Sequence, residues 1–485
     1  MARVRFTISG GMTEEQLQLL HTRALDVLAT VGLEVNSPAT LELLREKAGY
    51  RIQGRRVLVD RALVEECVRL CRASRRETGG SREAAPAAGE GPQAASGAVS
   101  RRRLLEILTA YPTHFVDWRD ASMKPIAESD LIPMARLVDA LYDRGVRGGA
   151  PGVPQDVPPR VRGIHAYRIG AEYCRFGGSA PATNERDIQW LYRMDEVMGQ
   201  PFGLGIFIVN PLRIEGNTLD QLFSLRGRKF PVLVGSMPQM GVSAPVTLLG
   251  AFVVGIAAAW GAYAVVREIT GTDDIGVECR VWPTSARSLE MAYGSPEMVL
   301  GDLVLNQLRR FYNWNTPDAD PFHSASLLPD AQASAQRAAF GMAMALAGNR
   351  SFRFGGLLGT DLVFSPEQLL LDVETLRYLD CVASGFEFSE EAFGMDAIRR
   401  VGPAGSYLDD EPTLKRLSGE LWQPEVWRME PLGSWMGGRS AAPGVSDAVR
   451  EQVQPLIDGQ TYRLDGTRAR ALDALVSAAE RDLLG

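Results

Sequence analysis

Between Lys229 and Arg267 the chain carries no charged residue. Within that run Leu248–Val266 is nineteen residues, long enough to cross a bilayer. Such a segment ends either in lipid or where other protein covers it on every side. Its flanks decide between the two. Pro231–Gly235 is a short apolar run that breaks into a Pro/Gly loop, and Ile275–Val281 is a second that breaks into a Pro/Ser loop. Strand, loop, helix, strand is the unit of a β/α barrel, whose chemistry sits on the loops after the strands. The run is therefore expected as a helix buried between a barrel and a subunit partner, with no membrane span.

Further strand candidates come at barrel-like spacing: His114–Trp118, Gly145–Ala150, Tyr173–Gly177, Gly203–Val209, Phe322–Ser326 and Ser351–Leu357. Helical patterns separate them, among them Asp187–Met198, Pro296–Phe311 and Asp330–Leu346. His114–Trp118 with Lys124–Ile126 reads equally as a preceding hairpin. The expected fold is α/β: a TIM-type (β/α)8 barrel over residues 104–364, which a chain of 485 residues accommodates with appendages to spare. Residues 1–72 read as an α-rich N-terminal extension. Thr13 and Gln16 form a capping box there, and Leu17, Leu20, Ala24, Leu25 and Leu28 follow as one apolar stripe. Gln53-Gly54 suits a hairpin turn. Residues 73–103 are Gly-, Ala-, Ser- and Arg-rich with almost no apolar anchors, the composition of a flexible low-complexity insertion. Residues 365–485 read as C-terminal helices and a Trp-bearing extended tail (Trp422, Trp427, Trp435) packed on the barrel.

A net charge of −7 and the lack of a basic stripe interleaved with aromatics argue against a nucleic-acid partner. Four histidines and five scattered cysteines form no HxxxH or CxxC pair, so no metal site is expected. No P-loop or GxSxG elbow occurs, and Gly203-Leu204-Gly205 lacks the third glycine of a dinucleotide site. The opening residues hold no apolar core of a secretory signal, so the cytoplasm is the expected compartment. Two chemistries remain: unaided acid/base work, or a reactive group supplied from outside.

The loops favour the second. Gly241-x-x-Ala244-Pro245-Val246-Thr247, Tyr293-Gly294-Ser295-Pro296-Glu297 and Asp330-Ala331-Gln332 occur in order with Asn210-Pro211-Leu212, Ser365–Glu374, Val401-Gly402-Pro403-x-Gly405 and Trp422-x-Pro424. Together they resemble the trimethylamine methyltransferase family over most of the chain. The resemblance implies transfer of an N-methyl group to the Co(I) corrinoid of a small cobalamin-binding partner protein. This chain itself would hold no cofactor tightly. It contains only standard residues, so it resembles the non-pyrrolysine branch, whose substrates are quaternary amines such as glycine betaine. Phe352-Arg353-Phe354-Gly355-Gly356 stands where family members often carry His before Gly-x-Gly, which marks a divergent member. A homo-oligomer is expected.

Aromatic faces hold quaternary ammonium groups, at about 0.5–2 kcal/mol each. Phe207, Trp282, Tyr293, Phe322 and Phe354 lie on or beside strand ends and are the candidate cage, with simple core packing as the competing reading. His323 is the candidate catalytic polar group. Glu297 is a second catalytic candidate, although a carboxylate at a helix start also serves the dipole. Arg353 pairs with a substrate carboxylate or with a local acid. Gln332 lies in the first turn of a helix or faces the barrel mouth. Two other functions fit the same residues: a barrel that binds a cationic or aromatic metabolite without a corrinoid, and an enzyme that kept the barrel but changed reaction.

Overall fold

The computed structural model of the chain describes residues 2–77, 104–107, 112–178, 180, 186–228, 230–314, 319–429, 431–436 and 444–485. The N-terminal extension is built on α1 (Glu14–Thr30) and α2 (Arg61–Glu77). Thr13 caps α1 through the expected box with Gln16, and the apolar stripe from Leu17 to Leu28 is buried. Tyr50–Gln53 and Arg56–Val59 form the expected hairpin, with Leu33–Val35 beside it. Arg213–Ile214, far along the chain, adds a fourth, parallel strand and ties the extension to the barrel. Helix α2 runs five residues into the stretch expected as an insertion, because its turns continue to Glu77. Residues 78–103, which carry the rest of that expectation, lie outside the described residues.

Seven parallel strands follow: β1 (Leu104–Ile107), β2 (Val146–Gly148), β3 (Leu204–Ile208), β4 (Val232–Ser236), β5 (Ile275–Cys279), β6 (Ala319–Pro321) and β7 (Ser351–Arg353). They form two arcs, β3–β4–β5 and β6–β7–β1–β2. Ser351 pairs with Leu104, so the last strand lies beside the first and chain order is kept around a TIM-type ring. Two expected strands are corrected. Tyr173 is the last residue of α3 (Arg162–Tyr173), and the chain then turns, with Gly177 N–H donating to the Cys174 carbonyl. The strand expected at Phe322–Ser326 lies earlier, at Ala319–Pro321, and Phe322–Ser326 is the loop that follows it. His114–Val116 and Met123–Pro125 form the hairpin alternative, joined by Val363–Phe364 and Leu357–Leu358 in a small sheet.

The uncharged run is α4 (Leu248–Thr270), between the paired strands β4 and β5. Among the described residues it is the one helix long and apolar enough to cross a membrane. It is a core helix instead. The chain's own extension covers one side: Gly261 lets Leu28 and Leu33 approach so closely that a Cβ would sit 2.5 Å from Leu33. On the other side Gly255 fits over Cys279 of β5.

Three further helices follow β5, β6 and β7 in turn: α5 (Pro296–Tyr312), α6 (Ala331–Leu346) and α7 (Pro366–Ser384). Tyr312 of α5 stacks on Trp314 at 4.9 Å and meets Trp260 of α4 at 5.3 Å between ring centres. His21 of α1 joins that cluster with Nδ1 3.0 Å from the Tyr312 hydroxyl and Nε2 3.1 Å from Glu65. No backbone ladder joins β5 to β6 among the described residues. Ion pairs span the gap: Glu278 of β5 lies 3.3 Å from Arg280 and 3.5 Å from Arg309 of α5, and Arg309 lies 3.1 Å from Asp320 of β6. Glu374 of α7 has a holding role. Its carboxylate accepts from Arg377 (2.6 Å) and from the backbone N–H groups of Glu425 (2.9 Å) and Val426 (3.3 Å), fixing the tail against the barrel.

Candidate active site

The loops after β5, β6 and β7 meet at the carboxyl end of the barrel. They bring together Trp282, Tyr293, His323 and Phe354, residues separated by up to seventy-two positions in sequence. The His323 ring lies between Tyr293 (4.2 Å, stacked) and Phe354 (4.3 Å), with Trp282 edge-on at 5.3 Å. Trp282 and Tyr293 touch at 4.7 Å. Three of the five candidate cage aromatics, Trp282, Tyr293 and Phe354, meet here and an imidazole fills the space between them, while Phe322 is buried in the core against Phe352. His323 Nδ1 is 2.8 Å from Asp361 yet off the line of a hydrogen bond, and Nε2 has no partner among the described residues. The Tyr293 hydroxyl donates to the other Asp361 oxygen at 3.4 Å. Burial pushes the His323 pKa below its ordinary value, against the opposing pull of Asp361, so the ring is neutral at physiological pH. Phe354, Thr360 and Asp361 all have left-handed backbones (φ 67°, 58° and 72°), conformations that cost non-glycine residues and persist only where surroundings enforce them.

Phe207 and Arg353 belong elsewhere, to the barrel lumen. Along β5 the side chains of Ile275, Val277 and Cys279 are buried in the helix layer, which leaves Gly276 and Glu278 on the lumen side. Strand register places Gly235 opposite both Phe207 and Glu278, so these three form one row across β3, β4 and β5. The middle of that row has no side chain. The Phe207 ring leans over the gap, and a Cβ on Gly235 would sit 2.5 Å from it. Phe207 is 41% exposed on β3, the edge strand of its arc. Burial works to raise the Glu278 pKa, but Arg280, Arg353 and Arg309 outweigh it and keep this carboxylate ionised. Arg353 of β7 pairs with Glu106 of β1 at 3.2 Å, directly across the ladder. Of its two sequence readings, the local acid is what the structure supplies.

Glu297 and Gln332 are not drawn into the box. Each is exposed in the first turn of its helix, α5 and α6 respectively. The polar residues that do support the box were not among the sequence candidates. Ser324 donates to Gln336, one helical turn beyond Gln332, at 2.7 Å. Below them Arg337 and Asp372 form a buried pair at 2.8 Å, and Asp372 also accepts from Gly356 N–H (2.7 Å) and Gln368 (2.8 Å). Burial lifts Asp372 to about 6 in spite of Arg337. The pattern Asp330-x-x-x-x-x-Gln336-Arg337 places these polar groups on two faces of one helix, a signal too weak to single out without the fold. Around the mouth the loops expose apolar side chains: Val242 (58%), Val246 (71%), Leu289 (69%), Leu327 (57%) and Leu362 (52%).

Comparison with known proteins adds a family. A family profile described as trimethylamine methyltransferase (MTTB) matches residues 4–87 and 194–483. Glycine betaine methyltransferase of Desulfitobacterium hafniense strain Y51 is 23% identical over 438 residues, spanning 87% of this chain and 88% of that protein. Trimethylamine methyltransferase MttB of Desulfitobacterium hafniense strain DSM 10664 / DCB-2 is 24% identical over 430 residues, 85% of this chain and 83% of its own length. A solved structure, the hydroxylamine complex of MtmB, covers 93% of this chain and 89% of its own with a TM-score of 0.49 at 11% identity.

Proposed function

The chain belongs to the trimethylamine methyltransferase family, and we propose that it moves a methyl group from a small quaternary or tertiary amine to the Co(I) corrinoid of a small cobalamin-binding partner docked over the barrel mouth. The observation that carries this reading is the Phe207–Gly235–Glu278 row: an exposed aromatic face in line with an ionised carboxylate across three paired strands. An aromatic face with a negative charge in the same row favours a methylated cation, and Gly235 leaves the space in which the Phe207 ring lies. The rim of exposed apolar side chains supports the rest, since it offers a partly hydrophobic surface to a docking partner carrying a macrocycle.

The bound corrinoid supplies the group that accepts the methyl. The tasks of this chain are binding, orientation and exclusion of water. Phe207 and Glu278 hold the ammonium end, which leaves a methyl directed out of the strand ends toward the mouth. Held in line at close approach, the methyl gains much of its reactivity from position alone. The leaving amine keeps the electron pair of the broken C–N bond, so a quaternary substrate needs no proton. His323, neutral and with Nε2 unpartnered among the described residues, is the group that the loop side would offer the substrate. Arg353 is engaged by Glu106 and lies near Glu278, which favours a simple cation over one bearing a carboxylate. The reading also places the protein in the cytoplasm, consistent with five free cysteines, and in a homo-oligomer.

The test is to incubate the chain with a reduced corrinoid protein and tetramethylammonium or glycine betaine, following corrinoid absorbance and the demethylated amine by NMR. Turnover only when all three components are present is expected, with tetramethylammonium preferred. Binding of quaternary amines without any turnover would leave a cation-binding barrel, and no binding would reject the substrate class.

A further inference from the structure

Residues 386–421 form an arm that has secondary structure but no core. Phe386–Phe388 pairs antiparallel with Ala2–Val4, and Met395–Val401 and Glu411–Glu420 are short helices. Asp410 ties them together: it caps the second helix at Thr413 and binds Arg400 at 2.8 and 3.0 Å. Apolar side chains in the arm face solvent, including Phe386 (52%), Phe388 (55%), Phe393 (52%), Leu408 (71%), Leu417 (44%) and Leu421 (54%). Two-stranded ribbons and helices of this length are marginal in water by themselves. Caps and ion pairs do not replace a hydrophobic core.

The position of the arm selects its occupant. Helix α7 starts just after the mouth loop of β7 and runs nineteen residues down the barrel wall, about 28 Å. The arm begins where α7 ends, and Arg3 donates there to the carbonyls of Ser384 (3.0 Å) and Gly385 (2.8 Å). Ile8 N–H donates nearby to the carbonyl of Leu346, the last residue of α6. The arm thus leaves from the amino-terminal face of the barrel, opposite the mouth. A partner that must reach the mouth cannot cover it. A half-exposed Phe or Leu offers on the order of 100 Å². The six side chains named therefore supply several hundred Å², roughly the apolar share of the ~800 Å² per partner in an ordinary specific interface.

We propose that this arm, residues 386–421 with the paired strand Ala2–Val4, is the surface on which a second copy of this chain docks permanently. The proposal deepens the homo-oligomer reading above and is independent of substrate and methyl acceptor. Light scattering on the eluting full-length protein at micromolar concentration should give a multiple of 52.9 kDa. The Phe386→Glu/Leu417→Glu variant should drop to a lower multiple, or to one chain, with unchanged far-UV circular dichroism. A wild-type mass of one chain, or an unaltered assembly in the folded variant, overturns the proposal. Hydrogen exchange on the wild-type protein guards against a variant that fails to fold. Amides of Glu411–Glu420 should exchange about tenfold or more slowly in the concentrated protein than after dilution below the association range. Equal exchange at both concentrations also overturns it.

Discussion

His21 and His323 occupy neighbourhoods of the same composition. Both rings are buried, 3% and 1% exposed, and both sit among aromatic side chains. The difference lies in their nitrogens. His21 lies within hydrogen-bonding distance of the Tyr312 hydroxyl and of Glu65, and so welds α1 and α2 to α5. His323 has one nitrogen close to Asp361 at a poor angle and the other without a partner among the described residues. A buried polar group left unsatisfied costs about 1–3 kcal/mol, and folds keep few of them. Residue type and burial therefore do not separate the structural His21 from the histidine proposed to act on substrate; hydrogen-bond satisfaction does.

The contrast breaks if stability and activity do not separate as follows. Tyr312→Ala should cost about 3–5 kcal/mol, by lost packing and by freeing His21, seen as a lower denaturant midpoint with amine affinity unchanged in the folded fraction. His323→Ala should lower turnover by roughly a hundredfold through misplacement of the substrate, while the denaturation midpoint stays level or rises. Phe207→Ala should weaken binding of tetramethylammonium about tenfold, the loss of one cation–π face of ~1–2 kcal/mol, with almost no effect on stability because the ring is exposed. Calorimetric titration of the chain alone reads that directly, and wild-type affinity would remove the lumen row from the site.

The smallest effect is on pH dependence. Burial depresses the His323 pKa, so below about 6.5 the unfolded chain binds a proton that the folded ring refuses. Its contribution is complete above that pH and is lost as pH falls through the folded value. The stability difference between wild type and His323→Phe should therefore slope with pH below 6.5, by at most about 1.4 kcal/mol per unit. Asp372, raised to about 6, acts with the opposite sign: its contribution is present below the ordinary carboxylate range and is lost as pH rises through about 6. It is common to both proteins and cancels in the difference. A flat difference would mean that the His323 environment is no drier than that of an exposed ring.

Much of the scaffold could be read from sequence because its signals are local. The β4–α4–β5 unit and the Thr13 box depend on residues a few positions apart. The four rings of the box were legible for a related reason: each follows a strand, and barrel chemistry gathers after strands. What escaped depends on distance. Glu106 and Arg353 are 247 positions apart, and the partner strand β1 sits beside a low-complexity stretch that hides it. Glu278 read as one polar residue in an apolar run until register set it in a row with Phe207. The strand at Ala319–Pro321 is short and ends in proline, which reads as a turn, while the aromatic Phe322 next to it reads as the start of a strand. Tyr173 misled in the same way, since an aromatic at the end of a helix resembles the start of a strand.

The shelter of α4 has a consequence for synthesis. Everything that covers one side of this helix, α1 and α2 with their small sheet, precedes it in the chain and leaves the ribosome earlier. A segment apolar enough to be taken for a membrane anchor thus emerges to find half of its burial site already made. The extension is available to cover the most apolar helix of the barrel in the order that translation imposes.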